Sequence, residues 1–140
     1  MHSIPLGGDV DIDHLLVGSA GVYTVNTKHH PNARMTVYQR TVYVNGHQRH
    51  YLGNAIREAE KASRLLTAAC GFDVTVIGLV VPVNARSLVL REWPAGCHVI
   101  DARDLAYSLL PLPAPTPMRI ANAIYEAACR PSTWHRSRAG

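Results

Sequence analysis

Long apolar runs are missing from these 140 residues. Nothing approaches the ~20 consecutive apolar positions that span a bilayer, so no membrane partner is expected. The opening "MHSIPLGGDVDID" lacks the basic start and apolar core of a secretory signal, which predicts a cytoplasmic protein. Cysteine is scarce: Cys70, Cys97 and Cys129 are an odd count, widely spaced, without a C-x-x-C pair or a persuasive histidine partner. That pattern speaks for reduced thiols and against a disulfide framework, structural zinc or a cysteine nucleophile. Charged residues make up only 17% of the chain against 47% hydrophobic ones, the balance of a folded globule rather than a disordered segment. No internal repeat is visible, and the length suits one core.

What is present leans basic. The net charge is +4 and the pI about 9.2, with eight histidines that add charge as the pH falls towards ~6. Such a balance favours polyanionic partners, DNA among them, because phosphate contacts supply most non-specific affinity.

Residues 9–17, "DVDIDHLLV", begin in alternation, with Asp9, Asp11 and Asp13 on one face and Val10 and Ile12 on the other. "GSAG" is turn chemistry, and "GVYTVNTKHH" then opens as a strand of β-branched and aromatic residues. Together they read as an antiparallel hairpin. "MTVYQRTVYVNG" predicts two short strands around Gln39-Arg40, closed by Asn45-Gly46. Asn54 is the expected N-cap of a helix that runs to Cys70 and stops at Gly71. Its apolar face reads as Ile56, Ala59, Ser63, Leu66 and Cys70, with Arg57, Glu58, Glu60, Lys61 and Arg64 covering the rest. "VTVIGLVV" (74–81) is apolar on both faces, as a covered central strand is. Short strands at 87–90 and in "CHVID" follow, then a helix in "ARDLAYSLL" and a stiff connector, "PLPAPTP". A last helix is expected from Thr116-Pro117 to about Ala128, before a basic, frayed tail. The order predicts an α/β fold with a mixed sheet flanked by helices.

The strand at 21–30 ends on groups that can do chemistry. Asn26 and Lys28 alternate, so they share a face, and a suitable register would bring the face of Asp11 and Asp13 to them. Carboxylates beside a lysine suit Mg²⁺ and phosphate: hard oxygens hold the ion, the ion binds phosphate oxygens, and the ammonium stabilises developing negative charge. The same aspartates also fit a plainer role, as solvated charges that keep an edge strand from pairing. His29 or His30 would add an imidazole ligand and favour Mn²⁺, while His14 faces away from Asp13 and reads as structural. Arg57, Lys61 and Arg64, with Arg34, Arg40 and Arg49, are candidates for a DNA-facing surface. Trp134, among Arg130, His135, Arg136 and Arg138, is either a base-stacking residue or part of a disordered tail.

The string "DVDIDHLLVGSAGVYTVNTKHH", followed by "VYVNG" and "NAIREAEKASRLL", resembles the nuclease-related domain (NERD) family over about residues 9 to 66. The resemblance implies a restriction-endonuclease-like fold of the PD-(D/E)xK type over residues 1–110. Residues 111–140 would form a Pro-rich connector, helix and basic tail packed on it or extending from it. It also implies Mg²⁺- or Mn²⁺-dependent hydrolysis of DNA phosphodiesters. Asp13 matches the family's first aspartate and Lys28 its lysine, and Asn26 falls where the family carries Asp or Glu. Asp11 would then be a replacement carboxylate, making Asp13, Asp11 and Asn26 the expected metal set. A family helix with a glutamate normally precedes the first strand, whereas only "MHSIPLGG" precedes Asp9, which predicts a fragment, a late start or a trimmed variant. Three functions remain open: a nuclease, a domain that binds nucleic acid without cutting, and a protein-interaction domain that keeps only the fold.

Overall fold

The computed structural model describes residues 4–5, 11–12, 14–18, 21–105 and 117–135. Among them the strands are β1 (Ile4–Pro5), β2 (Asp11–Ile12), β3 (His14–Gly18), β4 (Gly21–His29), β5 (Arg34–Val37), β6 (Val42–Val44), β7 (His47–Arg49), β8 (Val76–Val83), β9 (Ser87–Leu90) and β10 (Cys97–Val99). The helices are α1 (Tyr51–Cys70), α2 (Met118–Cys129) and α3 (Pro131–His135), with a 3₁₀ turn at Ala102–Asp104. Two mixed four-stranded sheets result, ordered β10-β8-β4-β3 and β7-β6-β5-β9. Flanked by helices, they make the expected restriction-endonuclease-like α/β architecture.

The first sheet is built on the parallel pair β4–β8, aligned from Val22↔Val76 to His29↔Val83. Both strands are rich in β-branched residues, which pack well on a pleated surface. One face, with Val22, Val76 and Val80, meets α1; the other carries Tyr23, Val25, Leu79 and Val81 against Ile100 and Leu105. The double-sided apolar pattern of β8 is thus accounted for.

Both strands bend at matched points. Asn32 and Asn84 take left-handed φ values of 59° and 61°, and the Asn32 amide donates to the Asn84 carbonyl at 2.9 Å. Asparagine tolerates this region better than most residues. Beyond the bends β5 and β9 pair in parallel and start the second sheet. Asn45 and Gly46, at φ 50° and 83°, close the β6–β7 hairpin, as that dipeptide predicts.

The pairing of β3 with β4 confirms the hairpin but shortens its first strand: the ladder runs from Gly18↔Gly21 to His14↔Val25. Asp11 belongs to a separate ladder, opposite Pro5 in β1. Helix α1 begins at Tyr51, three residues before the expected N-cap, with His50 at the cap position. Burial of Leu52 holds this extra turn, and Asn54 uses its side chain to accept from Arg57. Gly71, at φ 80°, ends the helix as expected. Of "ARDLAYSLL", Ala102–Asp104 form a 3₁₀ turn and Leu105 is helical, while 106–116, which hold the rest of it and all of "PLPAPTP" but Pro117, lie outside the described residues. The last long helix starts behind Pro117.

The tail departs from expectation. Residues 131–135 form α3, and Trp134 is buried, its indole N–H donating to the Ala128 carbonyl at 2.9 Å. The Thr133 hydroxyl donates to the Ala127 carbonyl at 2.6 Å. Trp134 joins Ala62, Leu66, Ile124 and Ala128 in the core, where burying an indole outweighs the solvation of the basic residues around it. It offers no face to a base.

Candidate functional site

Helix α1 runs back along β4, and the two elements meet in successive rungs. At the first, Asn26 meets Glu58: its amide nitrogen donates to both carboxylate oxygens, at 3.1 and 3.3 Å. Both side chains are buried, each with 8% of its surface exposed. Two positions on, about 7 Å further along the same face of the strand, the Lys28 ammonium sits 4.5 Å from the centre of the Tyr51 ring. At the end of the strand, the His30 ring stacks on Tyr51 at 5.8 Å and its Nε2 lies 2.7 Å from the Tyr51 hydroxyl. Tyr51 and Glu58 are seven residues apart, 20° short of two full turns, so they occupy one stripe of the helix.

The helix reaches this close because β8 makes room. Gly78 lies opposite Thr24, and a Cβ placed there would stand 2.7 Å from the Ala55 carbonyl oxygen. Nothing separates the helix backbone from the strand there. That fixes the depth at which the next turn, carrying Glu58, is held.

The electrostatics follow from the neighbours. Burial, then the charges of Arg49, Lys28 and His29, hold the His30 pKa below the ordinary imidazole value. That favours the neutral ring, which pairs with the Tyr51 hydroxyl through Nε2, the donor being set by the tautomer. Asn26 gives both its N–H groups' side to Glu58, while its carbonyl Oδ1 is buried without a hydrogen-bond partner among the described residues. A buried acceptor left unmatched is costly, and such exceptions call for an explanation.

Of the expected site residues, the structure brings Asn26 and Lys28 onto the face beneath α1. Asp13 lies outside the described residues, and Asp11 is placed by its backbone alone. His30 is engaged with Tyr51, and His29 with the side chain of Asn84 at 3.1 Å. Arg57, Lys61 and Arg64 follow i, i+4, i+7 spacing along a stripe beside the buried one, with Arg57 and Arg64 exposed. The three cysteines are unpaired, and burial pushes the Cys97 thiol up to about 11, so it is inert at neutral pH. Among the described residues no three His, Cys, Asp or Glu side chains gather into a ready metal cage. A cavity of about 440 Å³, lined by Tyr38, Arg40 and Tyr43 among others, belongs to the second sheet and shares no residue with this site.

Glu58 is the residue that sequence reasoning misplaced, assigning it to the solvated face of α1. It is buried, as are Leu52, Ala55, Ala59, Ala62, Leu65 and Leu66. Its position, three after Ala55 and four before Ala62, was the available signal.

The oxygens present suit a hard cation: one amide oxygen without a hydrogen-bond partner among the described residues and one buried carboxylate. A model of the nuclease-related domain family matches residues 1–83, more than half of the chain. The chain belongs to that family, and so to the nuclease-related proteins. No curated protein and no solved structure matches it. Among the described residues no helix is long and apolar enough to cross a membrane.

Proposed function

We propose that the chain is a metal-dependent nuclease-related domain that hydrolyses DNA phosphodiesters, slowed by an amide where the family usually has an acid. The observation that carries this reading is the buried Asn26 Oδ1, an oxygen without a hydrogen-bond partner among the described residues, on the strand that also presents Lys28. Asp13, Asn26 and Asp11 would hold Mg²⁺ or Mn²⁺. A bound ion supplies Lewis-acid polarisation of the phosphate and a more acidic water. Lys28 is the group that meets developing negative charge on the phosphate oxygens. Arg57, Lys61 and Arg64 follow the DNA backbone, so binding is sequence-tolerant and falls steeply with salt.

A second reading, a domain that binds DNA without cutting it, is favoured by one contact. The Lys28 ammonium is already engaged with the Tyr51 ring, an attraction worth about 0.5–2 kcal/mol that substrate would have to replace. A plasmid-nicking assay in Mg²⁺ and in Mn²⁺, beside DNA binding at low and physiological salt, separates the two. Slow nicking that Lys28→Ala abolishes supports the nuclease. Salt-sensitive binding with no nicking in either metal supports the second reading, and absence of binding at low salt removes both.

A further inference from the structure

We propose that Glu58 is the carboxylate of the metal-binding pair, supplying from the helix what an acid at position 26 would supply from the strand. This rests on the metal-dependent reading above and names the group that completes its site.

Three observations converge on it. The first is contact: Asn26 and Glu58 are joined at 3.1 and 3.3 Å, both nine-tenths buried, on elements 32 residues apart. The second is the orientation of the amide. Its nitrogen faces the carboxylate, which leaves Oδ1 buried and unmatched among the described residues. A cation that took this oxygen together with a Glu58 oxygen would remove the orphan. When a cation holds it ionised, a carboxylate has about four lone-pair positions, more than the two bonds from Asn26 use. The third is charge. With a cation bound, an acid at 26 facing a neutral residue at 58 carries one negative charge, and Asn26 facing Glu58 carries one as well. The amide at position 26 therefore relocates the charge by one hydrogen bond rather than deleting it. Two acids in contact would repel each other whenever the cation was absent.

The test is a calorimetric Mn²⁺ titration of four proteins: the natural chain, Glu58→Gln, Asn26→Asp, and the double variant Asn26→Asp/Glu58→Gln. Thermal melts in chelator confirm that each is folded. The expected result is an affinity loss of about tenfold or more for Glu58→Gln. The double variant, which returns the acid to the strand, regains affinity to within about threefold of natural. Equal Mn²⁺ affinity in the natural chain and Glu58→Gln overturns the role of Glu58 and leaves the metal reading standing. No Mn²⁺ binding by either the natural chain or Asn26→Asp overturns the metal reading, and Glu58's role with it. If Glu58→Gln does not fold, the double variant decides: natural-like affinity supports the exchange, and its loss overturns it.

Discussion

The contact between α1 and β4 has two halves of opposite character. Towards Cys70 the helix presents Ala59, Ala62, Leu65 and Leu66 to Val22, Val76 and Leu15, an apolar cluster, with Ser63 and Thr67 hydrogen-bonded to the Val74 backbone at its margin. Towards Tyr51 the same helix presents Glu58 and Tyr51 to Asn26, Lys28 and His30. The halves share one backbone geometry, so the difference lies in the side chains alone. The apolar half gains by burying area and tolerates some change of shape. The polar half balances desolvation against a few directed contacts between particular groups. Stability and the candidate chemistry thus occupy opposite ends of one interface.

The largest expected effect comes from the apolar half. Leu66 is fully buried, and Leu66→Ala should cost about 3 kcal/mol in urea unfolding, through lost transfer energy and the cavity left behind. Mn²⁺ affinity of the folded fraction should stay within about twofold of natural. A matching collapse of metal affinity would show that the halves are not separable.

Gly78→Ala comes next, at about 2 kcal/mol, because the added methyl meets a backbone carbonyl rather than a flexible side chain. It should also weaken Mn²⁺ binding, since the helix must move outwards with Glu58 attached. Unchanged stability in the same denaturant series would mean that Gly78 does not set the spacing.

Tyr51→Phe is smaller, at about 1 kcal/mol or less. It removes the hydroxyl that is hydrogen-bonded to His30 and keeps the ring beneath Lys28. Nicking activity, if present, should survive this variant, whereas Tyr51→Ala should alter it.

The smallest effect is the pH dependence of His30. Its folded pKa lies below the unfolded value, so between the two the unfolded chain binds more protons. The stabilisation is present above about pH 6.5 and is lost as the pH falls from there through the folded value. Urea midpoints at pH 8 and pH 5 should separate more for the natural chain than for His30→Gln. Equal separations would remove His30 from the pH response.

How much of this was legible beforehand differs between the halves in the same way. Strand β8, the Asn45-Gly46 turn and the stop at Gly71 are written in local chemistry: β-branched runs, left-handed φ and the absence of Cβ. The family string around Asn26 and Lys28 is equally local. Glu58 is not, because its burial depends on what faces it 32 residues away. Reading Asn54 as the cap also hid Tyr51 and Leu52, the residues that fix the phase of the buried stripe. Ile56, Ser63 and Cys70, expected on the apolar face, are only partly buried. Trp134 was missed for the same reason: a basic, polar stretch gives no sign that its one indole fills a gap between distant helices.

That indole makes the molecule its own optical instrument. The two tryptophans sit in opposite surroundings, Trp134 at 5% exposure and Trp93 at 81%. Trp134 should emit at short wavelength and resist iodide, whereas Trp93 should emit at long wavelength and be quenched freely. In Trp93→Phe the remaining signal would follow the closing of α1, α2 and α3 around their shared core, with no dye attached.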